Sequence, residues 1–127
     1  FILRPHPLSF KDEKFLLIKK KYDLIYDKDL FIKFEKYSNL ISDWSGIFIE
    51  FAIINKKKPI VINTTPKINS NIKIDIPEKI EKFCRGKIAK EINIKDIALI
   101  KHYLEEIDLN KKDDEISINN FFKKYFF

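Results

Sequence analysis

The 127 residues suffice for one domain, and 45% apolar content supplies a buried core. The lone cysteine, Cys84, excludes an intramolecular disulfide and points to a reducing compartment; with no apolar run long enough to cross a bilayer and no signal peptide visible, a cytoplasmic location is expected. The net charge of +6, with runs at Lys19-Lys20-Lys21 and Lys56-Lys57-Lys58, reads first as a solvated face, then as attraction to an anionic lipid surface or a phosphate-bearing substrate. Nucleic acid fits least, because no Arg-rich stripe, recognition helix or zinc pattern accompanies the lysines. The chain has no methionine and starts on a strand-like Phe1-Ile2-Leu3, which reads as a piece of a longer protein.

In chain order, Phe1 to Arg4 reads as a short buried strand ended by Pro5-His6-Pro7, whose prolines keep the exit extended. Ser9 is a candidate cap for a helix over Lys11 to Lys20. Tyr22 to Tyr26 suits a second strand, and Asp29 a cap for a short helix over Leu30 to Tyr37. Asn39 to Ser42 is a third strand; Ser45 opens a strongly apolar helix to about Asn55; Pro59 to Ile62 is a fourth strand. The alternation predicts an α/β fold with a doubly wound parallel sheet and extra C-terminal helices. After a polar connector over Thr64 to Ile76, helices are predicted over Glu78 to Ile92 and Lys95 to Ile107. A charged break over Asn110 to Glu115 then leads to a final aromatic helix, Ile118 to Phe127.

The stretch Ser42-Asp43-Trp44-Ser45-Gly46 joins a strand end directly to a helix. In open parallel sheets ligands bind beyond the C-terminal strand edge, and a helix starting there offers free N–H groups and a positive dipole end. Gly46 would let an anion approach the backbone, Ser45 adds a hydroxyl donor, and Glu50, just over one turn on, could accept from ribose hydroxyls. The plain alternative is a capped helix, with Asp43 or Ser45 as N-cap, Gly46 a packing residue and Glu50 a surface charge. Arg4 and His6 sit at another predicted strand end and, in one parallel sheet, would share that side. Arg4 would pair there with a phosphate or with an internal carboxylate. Lys67, Asn69 and Asn71 follow the fourth strand, and Arg85 offers a planar fork for phosphate or, more plainly, a surface ion pair. Cys84 reads as structural. There is no P-loop, dinucleotide fingerprint, Cys/His metal pattern or hydrolase elbow, so neither a metal nor a cofactor is expected.

The order Arg4-Pro5-His6-Pro7, Ser42-Asp43-Trp44-Ser45-Gly46, Glu50 and Lys58-Pro59-Ile60 resembles that of the CDP-glycerol glycerophosphotransferases. Thr64 to Asn71 and Ile80 to Ile88 are similar to later segments of the same family, with Lys67, Asn69 and Arg85 at matching positions. The resemblance, which covers roughly the first two-thirds of the chain, implies the Rossmann-like C-terminal half of a GT-B fold; residues 1–127 are expected to form one nucleotide-binding domain, with 110–127 a C-terminal aromatic helix that the resemblance leaves unassigned. It implies transfer of glycerol phosphate, or a related polyol phosphate, from a CDP-linked donor to a wall or capsule polymer at the inner face of the membrane. By it, His6 contacts the donor pyrophosphate or assists transfer, Ser45 and Gly46 hold phosphate, and Glu50 holds the ribose. The partner it implies is an N-terminal domain carrying the acceptor site and a second histidine. A UDP-sugar glycosyltransferase or UDP-N-acetylglucosamine 2-epimerase of the same fold, and a non-catalytic interaction domain, are the alternatives.

Overall fold

The computed structural model describes residues 2–22, 25–27, 29, 31–65 and 80–127. They form a mixed α/β chain of two units, 1–32 and 33–127, each with its own small parallel sheet.

In the first unit, β1 (Ile2–Leu3) pairs in parallel with β2 (Ile25–Tyr26), Ile2 opposite Ile25 and Leu3 opposite Tyr26. Between them lie a 3₁₀ turn, Pro7–Lys11, and α1 (Glu13–Lys21). The cap of α1 is Asp12, not Ser9. The Asp12 carboxylate accepts from the amides of Lys14 at 2.8 Å and Phe15 at 3.3 Å, a stronger acceptor for an exposed helix start than a serine hydroxyl. Phe15 meets Phe10 and Tyr26 edge to face, at 5.4 and 6.3 Å between ring centres. The helix predicted over Leu30 to Tyr37 is reduced to a 3₁₀ turn at the start of the second unit, Phe34–Lys36, and the Asp27 carboxylate, not a helix, occupies the Asp29 amide.

The second unit is a three-stranded parallel sheet in the order β3 (Ile41–Ser42), β4 (Ile60–Asn63), β5 (Lys90–Asn93). Ser42 lies level with Val61, which lies level with Glu91. Side chains alternate across the pleat and both faces are covered. Val61 points toward α2 (Ile47–Asn55), α3 (Ile80–Ile88) and α5 (Lys111–Tyr125), packing with Phe48, Ile88, Ile118 and Phe122. Ile60 and Ile92 point the other way, toward Ile107, Tyr103 and Leu104 of α4 (Ile100–Leu109). The strands predicted to share one sheet thus pair as two sheets, and a fifth strand joins the second.

Three predicted boundaries change in this unit. The helix expected to run to Ile92 stops at Ile88, because β4 has a free edge that Lys90–Asn93 fills, register-paired over all four residues. The helix expected from Lys95 begins as a 3₁₀ turn, Ile94–Leu99, and becomes α-helical at Ile100. The charged break over Asn110 to Glu115 is instead the first turn of α5: Asp113 and Asp114 favour the positive end of a helix dipole, and buried Asp114 meets Lys58 at 3.0 Å. Asp114, Ile118, Phe121 and Phe122 then make one buried stripe at helical spacing.

The Lys56-Lys57-Lys58 run is not a uniform solvated face. Lys56 ends α2 in the left-handed conformation, φ 51°. Lys57 is only 6% exposed; its ammonium donates to the Ser38 carbonyl at 2.8 Å and pairs with Asp108. Lys58 pairs with Asp114 as above. Two of the three charges therefore fasten α4 and α5 to the approach to β4. No helix among the described residues is long and apolar enough to cross a membrane.

Candidate functional site

The C-terminal ends of β3 and β4 carry most of the described candidates. After Ser42 the chain bends through Asp43, Trp44 and Ser45, and α2 begins with Gly46 as its N-cap. The first turn of α2 has no side-chain cap in the full sense: the Ser45 hydroxyl stands 3.5 Å from the Ile47 amide, at the limit of a hydrogen bond. Of the amides that follow, that of Ile49 donates to the Gly46 carbonyl at 3.0 Å, and Phe48 is fully buried. Asp43, Ser45 and Glu50 are exposed. Gly46 adopts φ −64°, ψ −12°, open to any residue, and a β-carbon there would meet only Glu81 Oε1, at 3.7 Å. The backbone does not require a glycine here. The same contact shows a carboxylate beside the helix start, with Asp43 in the turn before it.

Beneath this turn lies Arg85, 2% exposed, not a surface ion pair. It stands on α3, and helical side chains lean toward the helix N-terminus, which carries the guanidinium up to the strand ends. One terminal nitrogen donates to the Asp43 carbonyl at 2.9 Å; the other donates to the Ile62 carbonyl at 3.1 Å and to Asn63 Oδ1 at 2.7 Å. The guanidinium carbon lies 4.1 Å from the centre of the Trp44 ring, and the Trp44 indole N–H donates to the Thr64 carbonyl at 2.7 Å. Nε faces the Glu91 carboxylate at 3.7 Å. Burial pulls the Arg85 pKa down and Glu91, then Asp43, draw it back up; an arginine stays charged throughout. Trp44 and Asn63 were missed as members of this cluster. The adjacency of the chain's one tryptophan to Ser-Gly was the only signal for the first.

Arg4 and His6 belong to the first unit. Arg4 Nη1 pairs with Asp27 Oδ2 at 3.1 Å, the internal carboxylate rather than a phosphate. His6 is exposed, and its carbonyl accepts from the Ser9 amide at 2.8 Å. Lys67, Asn69 and Asn71 lie outside the described residues. At the opposite edge of the three-stranded sheet, a cleft of about 240 Å³ is lined by Lys58, Lys90, Glu106, Asn110, Asp113 and Asp114. Both its lysines are ion-paired, Lys58 as above and Lys90 to Glu106 at 3.2 Å. Among the described residues no group of three His, Cys, Asp or Glu side chains could hold a metal ion.

Cys84 is fully buried, and burial, with Glu81 adding to it against Lys87, pushes its thiol pKa up. The thiol is therefore protonated at neutral pH and shielded. Iodoacetamide at pH 8 is expected to leave Cys84 unmodified in the folded chain and to alkylate it fully in urea, read by intact mass. Because the folded pKa is the higher one, the unfolded chain loses this proton first. The thiol's contribution is intact below the unfolded pKa, and stability falls as pH rises from that value toward the folded one.

The fold defines a mixed α/β protein built on small parallel sheets. No protein-family model, curated protein or solved structure matches the chain.

Proposed function

We propose that the chain is the donor-nucleotide-binding part of a transferase that moves glycerol phosphate, or a related polyol phosphate, from a CDP-linked donor to a wall or capsule polymer. The observation that carries this reading is the start of α2, without a side-chain cap, at the C-terminal edge of a parallel sheet covered on both faces, where such sheets receive phosphate groups. The Ser42–Glu50 order that resembles the glycerophosphotransferases falls on this strand–turn–helix, and in that reading the chain is the Rossmann-like half of a GT-B enzyme. In the reaction an acceptor hydroxyl attacks the phosphorus next to glycerol, its proton passing to the second histidine that the resemblance places on the N-terminal domain. The bridging P–O bond of the pyrophosphate breaks and the nucleoside monophosphate leaves. The first amides of α2 and the Ser45 hydroxyl stabilise negative charge on the departing phosphate, and Glu50 accepts from ribose hydroxyls. An N-terminal domain supplies the acceptor site, and an anionic membrane surface accounts for the excess lysines left exposed.

One observation favours a second reading, a domain that keeps this architecture without the chemistry: the Glu81 carboxylate beside Gly46 repels the anion that the helix start would attract. Calorimetric titration with CDP, CMP and UDP separates the two. CDP is expected to bind in preference to UDP, with Ser45→Ala and Glu50→Ala weakening it about tenfold or more, the loss of one hydrogen bond to a charged or well-placed group. Gly46→Ala is expected to change stability by less than about 0.5 kcal/mol while weakening CDP. Preference for UDP would move the reading to a sugar-nucleotide enzyme, and binding to none of the three would overturn it in favour of the second.

A further inference from the structure

Arg85 is one of only two arginines in a chain that otherwise uses lysine, and it is the most deeply buried of the three charged residues buried among the described residues, Lys57, Arg85 and Asp114. We propose that Arg85 is a positioning residue of the nucleotide site: it holds the Asp43–Gly46 turn, and with it the first amides of α2, in the receiving conformation without touching the ligand. The inference rests on the nucleotide reading above and replaces the direct phosphate contact that the sequence offered for this residue.

The geometry carries it. The guanidinium grips the Asp43 carbonyl at 2.9 Å, and the same carbonyl accepts from the Ser45 amide at 3.2 Å, so one oxygen both shapes the turn and ties it down. The second terminal nitrogen takes two acceptors at the end of β4, Ile62 O and Asn63 Oδ1. Trp44 closes the arrangement, its ring over the guanidinium and its N–H on Thr64 O. The turn after β3 is thereby fastened to the last residues of β4 through two independent links. Both terminal nitrogens are engaged within the chain and the side chain is 2% exposed, which leaves a phosphate no approach to it. A lysine has a single nitrogen and no plane to stack, so it keeps the charge and loses the fork.

Trp44 is the only tryptophan of the chain, so its emission reports this turn directly. In the full 127-residue chain, Arg85→Lys is expected to shift Trp44 emission to the red, raise its quenching by acrylamide and weaken CDP binding about tenfold. A core control distant in role, Ile118→Val, lowers stability and is expected to leave both readouts unchanged. If Arg85→Lys weakens CDP with Trp44 emission unaltered, Arg85 meets the ligand itself and the positioning role is overturned. The role is overturned equally if emission shifts and CDP affinity holds. Should Arg85→Lys fail to fold, Asn63→Ala removes one of its acceptors with Arg85 in place and is expected to move both readouts in the same direction, less far. If the unaltered chain binds neither CDP nor UDP, the nucleotide reading falls, and the emission arm alone then decides whether Arg85 holds the turn.

Discussion

Phe48→Ala is expected to destabilise the chain by about 4 kcal/mol, the largest effect of any single truncation described for this protein. Phe48 is fully buried on α2 and packs in the cluster that joins Val61 of β4 to Ile88 of α3 and to Ile118 and Phe122 of α5. Its removal strips contacts from two further helices and one strand at once. The void cannot collapse without moving α2, whose far end is held by Asn55, donating to the Phe34 and Tyr37 carbonyls at 3.1 and 3.0 Å. A domain of this size is stable by roughly 5–15 kcal/mol, so the loss is a large fraction of the total. Urea unfolding checks it: the midpoint should fall steeply with an unchanged slope. Leu109→Ala, at a residue 87% exposed, should change the midpoint by less than about 0.5 kcal/mol equivalent. Equal effects at the two sites would contradict the packing described.

Arg85→Ala is expected to cost about 3 kcal/mol, for a different reason. The loss lies less in the missing attraction than in what remains: the Asp43 and Ile62 carbonyls and Asn63 Oδ1 lose a charged donor at a buried strand edge. Arg85→Met tests that cause. It restores most of the volume but none of the donors, and is expected to recover less than half of the loss. Full recovery by methionine would mean that packing alone, not hydrogen bonding, makes the residue matter. Urea midpoints decide between these outcomes, and a cycle with Asn63→Ala should show the two changes to be non-additive, as expected for direct partners.

Much of the strand–helix alternation was legible in the sequence because its signals are local. Leu40-Ile41-Ser42 is a short apolar run, Ser45-Gly46 precedes a continuous apolar segment, and Lys58-Pro59 breaks the chain before Ile60-Val61-Ile62. Each signal states its own conformation, and β3, α2 and β4 lie within a residue or two of the expectation. The start of α2 soon after β3 was legible for the same reason. The placement of Arg85 was not. Its helical spacing is visible, but a buried guanidinium and a surface one have the same local sequence. Only the approach of α3 to the ends of β3 and β4 decides which it is.

By itself, then, the sequence determined that this is an α/β chain with parallel strands, that one helix opens directly from a strand end, and that its single thiol forms no internal bridge. These follow from periodicity, turn chemistry and composition, which act over a few residues. Tertiary structure alone decided that Lys90–Asn93 leaves the predicted helix to complete a sheet edge, that Lys57 and Lys58 turn inward to Asp108 and Asp114, and that Arg85 binds the turn above it. The physical reason is common to all three. An unpaired strand edge, a buried charge and an unsatisfied carbonyl each demand a partner, and that partner is supplied by proximity in space between residues far apart along the chain.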